Sequence, residues 1–246
     1  GDYMNRRLYR ALAAAVFAFS IFRASTAAAA VAIDVNTSAD RTTASTSVTS
    51  PSFSTSSGNE LLLAFVAADA ASGTTATVTS VAGAGLTWSL VVRNNAQSGT
   101  SEIWRAFAVA PLVNVSIAAT VSQATVSSIT VLSFTGVDTS GAGGSGAIGA
   151  TAKASAASGA PSASLVTTRA GSWVFGVGND WDNPISRTPA AGQSLVHETM
   201  STTGDTYWVQ KQNAPTAIAG TTVSISDTAP TTDRYNLAIC EVLPAP

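Results

Sequence analysis

The sequence has one cysteine and one histidine, and each scarcity excludes a class of site. Cys240 is the only cysteine of the 246 residues, so the chain cannot form an intrachain disulfide and its stability depends on core burial. Cys240 lies in an apolar run, which is typical of a buried and unreactive thiol. His197 is the only histidine, which excludes a histidine-rich metal site and leaves one candidate base for a Ser-His-Asp triad.

Charged residues are also scarce, at 11% of the chain, whereas apolar residues make up 46%. This composition is that of a globular protein with a sizeable core. From Val31 onward the chain has eight basic and thirteen acidic residues, and Lys153 and Lys211 are the only lysines. We therefore expect no binding to the phosphates of nucleic acids.

The first 30 residues have the three parts of an export signal. After an overhang at residues 1–3, residues 4–10 are basic, residues 11–22 are apolar, and residues 24–30 are small, with A-x-A cleavage sequences. The apolar run is shorter than the roughly 20 residues of a membrane-spanning helix. We predict a secretory signal peptide cleaved near Ala30, with an uncleaved anchor as the alternative. The mature protein would then be extracellular or at the cell surface, with no membrane attachment.

The rest of the chain has the pattern of strands and turns. No segment shows a helical period, and turn signals recur about every eight to twelve residues. Residues 113–122 alternate apolar and polar side chains, as a half-buried strand does. Residues 61–68 are apolar at both alternating sets of positions, which indicates a strand covered on both faces. These patterns predict an all-β fold, an antiparallel β-sandwich.

The mature sequence has the pattern of an internal duplication. Residues 99–111 and 204–215 both carry a tryptophan and a proline, and Trp104 aligns with Trp208. Other matched pairs and segments are Ile33 with Ile148, Phe53 with Leu165, 61–65 with 173–177, 89–91 with 194–196, 115–117 with 223–225 and 129–134 with 237–242. We predict a single jelly-roll-like sandwich domain at residues 31–246, with pseudo-repeats 31–138 and 147–244. Two tandem Ig-like sandwiches are the alternative.

A resemblance rests on the run SITVLSFTGVD at residues 128–138, with the strands at 58–66 and 165–177 on either side of it. The chain resembles an uncharacterised β-sandwich module of secreted bacterial and phage tail-associated proteins. Those modules have a "GD-L-V" type strand, a central "W-L-V" strand, an "F-S/T-G-V-D" strand end and a second, weaker cycle. The resemblance covers nearly the whole mature chain and implies a surface-binding or structural role, but it carries no catalytic residue.

Motifs for catalysis are weak. The sequence has no GxSxG, and His197 aligns with Val92 in a strand, which favours a partly exposed strand residue over a general base. GAGGSG at residues 141–146 satisfies G-x-G-x-x-G, but no helix-forming segment follows it. The candidate carboxylates for glycosidic cleavage are Glu102, Glu198, Glu241, Asp180 and Asp182. Because the sequence brings no two of them to a defined separation, we predict that the chain is not an enzyme.

The densest polar cluster is NDWDN at residues 179–183, directly after a strand. Asn179, Asp180, Asp182 and Asn183 offer oxygen ligands for calcium, and Trp181 beside them suits stacking on a sugar. The alternative is a turn in which these side chains satisfy local backbone amides. No cofactor other than calcium is expected.

The two aligned tryptophans share a strand face with polar residues. If Tyr207 and Val209 face the core, Trp208 lies on the opposite face. That face would carry Glu102, Trp104, Thr206, Trp208, Gln210 and Gln212. Such a face could stack on and hydrogen-bond a sugar chain, whereas the alternative is a tryptophan covered by a loop or by the other layer.

Three functions are compatible with these observations. The first is a secreted or cell-surface binding module, without catalysis, for a polysaccharide or another cell-surface component. The second is a structural or adhesive β-sandwich of an envelope, matrix or appendage, and the third is an enzyme that acts on glycans. Residues 243–246, LPAP, read like the start of a linker, so we expect further domains C-terminal to this chain.

Overall fold

The computed structural model describes residues 29–72 and 74–246, and nearly all of the predicted signal peptide lies outside them. The predicted all-β sandwich is confirmed, since antiparallel sheets pack against each other. The described residues contain one short 3-10 helix, Ser145–Ala147, between the two halves. None of the helices in that part of the chain is long and apolar enough to cross a membrane.

The first half contributes six strands and the second half eight. Those of the first half are β1 (Ala32–Thr49), β2 (Glu60–Ala68), β3 (Val78–Gly83), β4 (Ser89–Asn94), β5 (Thr100–Ala108) and β6 (Ile117–Thr135). Those of the second half are β7 (Ile148–Ala156), β8 (Ser162–Val166), β9 (Trp173–Asp180), β10 (Thr188–Pro189), β11 (Gln193–Met200), β12 (Thr206–Gln212), β13 (Thr222–Ala229) and β14 (Tyr235–Val242).

Both halves have the same strand order. The inner sheet of the first half is β1-β6-β2-β5-β4, and that of the second half is β7-β14-β9-β12-β11. In the first half β3 and the end of β1 pair with the first part of β6, which matches the outer sheet β10-β13-β8 of the second half. The long strands β1 and β6 thus each belong to two layers. In the second half β1 corresponds to the two strands β7 and β8, and β6 corresponds to β13 and β14.

The pairing register agrees with most of the sequence alignment. Ile33 pairs with Phe134, as Ile148 pairs with Val242. An isolated bridge joins residues 53 and 115, and the matching residues 165 and 223 pair between β8 and β13. The duplication predicted from the sequence is therefore repeated in the strand pairing.

The alignment of the two tryptophans is wrong by two residues. Trp104 pairs with Ala64 on β2, whereas the matching Gly176 on β9 pairs with Gln210. The structural counterpart of Trp104 is therefore Gln210 rather than Trp208. Because side chains alternate with a period of two, this shift leaves both tryptophans on the predicted face of their strands.

A central core between the two inner sheets joins the halves. Leu63 and Phe65 of β2 meet Phe175 and Val177 of β9 there, all of them buried. The ring centroids of Phe65 and Phe175 are 6.1 Å apart, and those of Phe134 and Phe175 are 5.0 Å apart in an edge-to-face arrangement. Each half thus covers one face of the other.

The opposite face of each inner sheet is covered by the outer layer of its own half. In the first half Leu62 and Val66 of β2 pack against the outer strands, with Ile117 among the residues that cover them. In the second half Trp208 and Ile225 belong to the corresponding core. The molecule consequently has four layers, and the run at residues 61–68 is buried on both faces, as its composition predicted.

The two halves are related by an approximate two-fold arrangement. The edge strand β1 meets β11 through Asp40 and His197, with 3.0 Å between Oδ1 and Nε2, and β4 packs against β7. Because β1 corresponds to β7 and β4 corresponds to β11, the contact of β1 with β11 is equivalent to the contact of β7 with β4. The bridge between Val137 and Pro244 lies where the two copies meet.

Candidate functional site

The face considered for sugar stacking is not at the surface. Trp208 is 1% exposed, and Glu102, Thr206 and Gln210 are fully buried. Gln212 is 8% exposed, and Trp104 is half-buried. The outer layers cover this face in both halves, so the alternative of a tryptophan covered by the second layer is the correct one.

In the first half this covered face holds a carboxylate with a full set of donors. Glu102 Oε1 accepts hydrogen bonds from the Val78 amide at 2.6 Å and the Thr100 hydroxyl at 3.0 Å, and Arg93 Nε lies 2.7 Å away. Glu102 Oε2 accepts a hydrogen bond from Trp104 Nε1 at 2.9 Å. With these partners Glu102 ties β3, β4 and β5 together, which is a structural role.

In the second half the covered face holds an arginine with incomplete pairing. The Arg187 guanidinium lies 4.5 Å from the ring centroid of Trp208 and donates to Asp180 Oδ2. Arg187 Nε and Nη1, Trp208 Nε1 and both carboxylate oxygens of Asp227 have no hydrogen-bond partner within the described part of the chain. Around Arg187, more buried polar atoms therefore have no hydrogen-bond partner than around Glu102.

Three carboxyl groups of the second half have raised pKa values. Burial raises the pKa of Asp227 to about 7, although the nearby Arg187 charge opposes the shift. Burial likewise raises the pKa of Asp180 and that of Asp205 to about 6. Because these carboxyl groups lie inside the protein, their raised pKa values affect the pH dependence of its stability rather than contact with a ligand.

The candidate calcium ligands do not converge on one point. Asn179 and Asp180 are fully buried at the end of β9, whereas Asp182 and Asn183 lie on the exposed loop that follows. Among residues 29–72 and 74–246, no group of three or more His, Cys, Asp or Glu side chains could hold a metal ion.

Local hydrogen bonds use the oxygens of this cluster. Asp180 Oδ1 accepts from the Asp182 amide at 2.7 Å, and Asp182 Oδ2 accepts from the Arg234 amide at 2.8 Å. Trp181 is half-buried, donates to the Ala70 carbonyl at 3.3 Å and has the Arg234 guanidinium 5.3 Å from its ring centroid. The arrangement is that of the turn alternative.

The other candidate carboxylates also hold backbone in place. Glu198 Oε1 accepts from the Arg187 amide at 2.6 Å. Glu241 accepts from the amides of Ala150 at 2.9 Å and Thr168 at 2.8 Å; although burial alone would raise the pKa of Glu241, these hydrogen bonds lower it. His197 lies half-buried on β11 beside Asp40, as a strand position predicts.

An apolar groove crosses the edge of the central core at Trp173. One cavity of about 280 Å³ is lined by Val31, Ala32, Ile33, Phe134, Trp173, Phe175 and Lys211. An adjoining cavity of about 300 Å³ is lined by Ala29, Ala30, Val31, Ala170, Gly171, Trp173, Pro215, Pro244 and Ala245. We call the two cavities together the Trp173 groove.

Trp173 and Lys211 form the polar side of this groove. Trp173 is half-buried at the start of β9, and Lys211 Nζ lies 5.1 Å from its ring centroid. Ile33, on the opposite wall, is 40% exposed. An aromatic ring, an ammonium group and an exposed aliphatic side chain can together bind a ligand with apolar faces and acceptor oxygens.

The equivalent place in the first half is filled by the chain itself. There the counterparts of Trp173 and Lys211 are Leu61 and Arg105, and residues 139–147, the connecting segment, lie across them. Arg105 Nη1 donates to the Ala142 carbonyl at 3.1 Å and to that of Gly143. The glycine-rich run that satisfies G-x-G-x-x-G is thus a packing segment.

The groove has one signal in the sequence. The alignment matched residue 173 with Leu61, so a tryptophan occupies the place of a core leucine. Because tryptophan is rarely buried completely, a tryptophan at the end of a buried strand favours a position that stays partly exposed. No family model, curated protein or solved structure matches the chain.

Proposed function

We propose that the chain is a non-catalytic binding module of a secreted or cell-surface protein, and that it binds polysaccharide in the Trp173 groove. The observation that carries the proposal is a half-buried tryptophan that lines two cavities, of about 280 and 300 Å³. These volumes are near the lower limit of small-ligand sites, about 300 Å³. They suit single rings of a polymer rather than a large compact ligand.

The chemistry of the groove supports a sugar ring. The Trp173 ring and the side chains of Pro215 and Pro244 provide the apolar surface on which the CH face of a pyranose packs. Lys211 Nζ, beside the ring, is a donor for ring hydroxyls or for the carboxylate of an acidic sugar. The candidate carboxylates Glu102, Glu198 and Glu241 accept hydrogen bonds from backbone amides. Their engagement within the fold supports a role without catalysis.

The test compares the full chain with its Trp173→Ala variant in a retention assay on insoluble plant, algal and bacterial polysaccharides. We expect wild-type retention on at least one polymer and a loss of about tenfold or more in the variant, as for a central aromatic contact. Trp88→Ala is the matched control, because Trp88 is also half-buried but packs on the other core and donates to the Gly83 carbonyl at 3.4 Å.

Three results would contradict the proposal. Absence of wild-type retention on every polymer would reject polysaccharide as the ligand, and self-association in light scattering would then favour the structural or adhesive alternative. Equal retention by wild type and Trp173→Ala would move the binding site elsewhere. Release of reducing ends by the wild type that is lost in Asp182→Asn, a variant on the exposed loop, would support the enzyme alternative.

A further inference from the structure

The side chains of the Trp173 groove can donate hydrogen bonds but cannot accept them. Among the described residues that line its two cavities, only Trp173 and Lys211 have polar side-chain atoms. An indole has one N–H donor and no acceptor, and an ammonium group has three donors and no acceptor. A sugar hydroxyl both donates and accepts, whereas a carboxylate only accepts. The groove therefore fits an acidic sugar better than a neutral one.

Lys211 also differs from the other basic side chains in the interior of the protein. Five buried or half-buried basic side chains each have a carboxylate oxygen at 3.9 Å or less: Arg93, Arg169, Arg187, His197 and Arg234. Within residues 29–72 and 74–246, Lys211 Nζ has no such partner, and it donates to the Gln212 carbonyl at 3.3 Å. Two of its three N–H donors are left for a ligand.

The ammonium group lies where the central core opens. Lys211 on β12 pairs with Phe175 on β9, so the two side chains share the face that packs against the other half. Lys211 is half-buried, and its Nζ lies 5.1 Å from the ring centroid of Trp173. Because water screens a charge less in such a place than at an open surface, an ion pair formed there is stronger.

Two carboxylates near the ends of the groove are already engaged. Asp34 on β1 accepts hydrogen bonds from the Ser56 amide at 2.7 Å and the Ser56 hydroxyl at 2.6 Å. Asp138 Oδ2 accepts from Arg169 Nη1 at 2.8 Å, so these two charges offset each other. The positive charge of Lys211 is therefore available to a ligand.

The rest of the protein does not attract anions. From Val31 onward the chain has eight basic and thirteen acidic residues. Glu241 pairs with Val174, on the face of the sheet away from Trp173, and is fully buried there. Affinity for an anionic polymer would therefore come from the charge of Lys211 and not from the charge of the whole protein.

We infer, on the basis of the proposed function, that the ligand of the Trp173 groove is a polysaccharide of uronic acids. The carboxylate of one sugar pairs with Lys211 in the first cavity, and a neighbouring ring packs on Pro215 and Pro244 in the second. A uronic acid has its carboxylate directly on the ring, so a ring in contact with Trp173 brings the carboxylate to the ammonium group. A sulfate ester is larger and one atom farther from the ring, and it fits the first cavity, of about 280 Å³, less well.

The test compares each polyuronate with its own methyl ester, which keeps the backbone of the polymer and removes its charge. Polymers of galacturonic, glucuronic and mannuronic acid and their esters are immobilised, and binding of the full chain is measured by biolayer interferometry. We expect at least one acid polymer to bind about tenfold or more tightly than its ester, as for a hydrogen bond to a charged group.

Variants of the two lysines assign this preference to the groove. Lys211→Gln should lower the affinity for the acid polymer about tenfold and leave that for the ester unchanged. Lys211→Arg should keep the preference, because it keeps the positive charge. Lys153→Gln is the matched control, since Lys153 is exposed on β7, lines neither cavity and changes the net charge by the same amount.

Four results would overturn the inference. Equal affinity for acid and ester that is lost in Trp173→Ala would leave the proposed function standing without a role for the charge. An equal loss in Lys153→Gln and Lys211→Gln would assign the preference to general charge. Binding of dextran sulfate alone, with neutral dextran as its control, would assign the site to sulfate. Absence of binding to every acid polymer would exclude uronic acids, whereas the retention assay on other polysaccharides decides the proposed function separately.

Discussion

The Trp208 ring packs directly against Gly178 in the second half. They are cross-strand partners on β12 and β9, and a Cβ atom at Gly178 would overlap the Trp208 ring. The glycine is required here because the indole lies flat across its backbone. The Arg187 guanidinium covers the ring at 4.5 Å from its centroid.

Trp208→Ala should therefore destabilise the protein by about 3–5 kcal/mol, as expected for a large aromatic side chain removed from a core. Urea unfolding followed by circular dichroism measures the loss. Trp181→Ala is the control, since Trp181 is only half-buried on a loop and should cost much less. A Trp208→Ala protein within about 1 kcal/mol of wild type would contradict the burial described for this residue.

At the scale of single residues, the sequence predicted which face each side chain takes but not whether that face is covered. Period-two alternation is the same for a solvent face and for a face buried under a second layer. Glutamines on a strand favour the solvent interpretation, because they are mostly exposed in proteins. Gln210 is buried nonetheless, since its Nε2 donates to Gln193 Oε1 at 2.8 Å and to the Ser226 carbonyl at 2.9 Å.

Among the elements, the outer sheet β10-β13-β8 and the residues just before it bring charge into the interior of the second half. Asp227 on β13 is 5% exposed, and Arg187, just before β10, is 4% exposed. The pKa of Asp227, about 7, is above the value of about 3.9 in an unfolded chain. The folded protein therefore binds the proton more tightly, and the stability contributed by this group is complete below about pH 4 and is lost as the pH rises through 7.

Asp227→Asn should remove part of this pH dependence. At pH 8 we expect the variant to be about 1–3 kcal/mol more stable than wild type, because a buried carboxylate with unpaired oxygens is replaced by a neutral group. Below pH 4 the two proteins should differ little. Thermal melts between pH 4 and 8 measure the effect, with Asp182→Asn on the exposed loop as control. Lower stability of Asp227→Asn at pH 8 would show that the Asp227 charge stabilises Arg187.

The arrangement of the elements was partly predictable from the sequence. Matches such as Phe53 with Leu165 were correct because apolar residues fix the register of both strands in a core. The match of Trp104 with Trp208 was wrong, because identical residue types do not determine strand pairing: Trp104 pairs with Ala64, whereas Gln210 pairs with the matching Gly176. The closure of one groove by residues 139–147 could not be predicted, because small residues carry no periodic signal.

For the whole molecule, the shared central core predicts that the halves unfold together. Phe175 of the second half packs against Phe65 and Phe134 of the first, so neither half keeps its inner face buried alone. We expect a single calorimetric transition whose van 't Hoff enthalpy equals the calorimetric enthalpy.

The Phe175→Ala variant tests the same point at the contact between the halves. It should lower the melting temperature of that one transition, through a loss of about 3–5 kcal/mol, without splitting it. Val166→Ala in the outer sheet, at a residue that is 55% exposed, is the matched control and should change the melting temperature little. Two separate transitions in wild type, each affected by a different variant, would instead support two tandem sandwiches.

The two-fold relation between the halves has a consequence for specialisation. In a symmetric homodimer every site exists twice and in identical form, because both copies have the same sequence. Here the copies are joined in one chain, so each can diverge alone. In the first half Leu61 is covered by the connecting segment, whereas in the second half the equivalent residue, Trp173, lines an open cavity. Covalent linkage thus lets one copy provide rigidity while the other is free to acquire affinity.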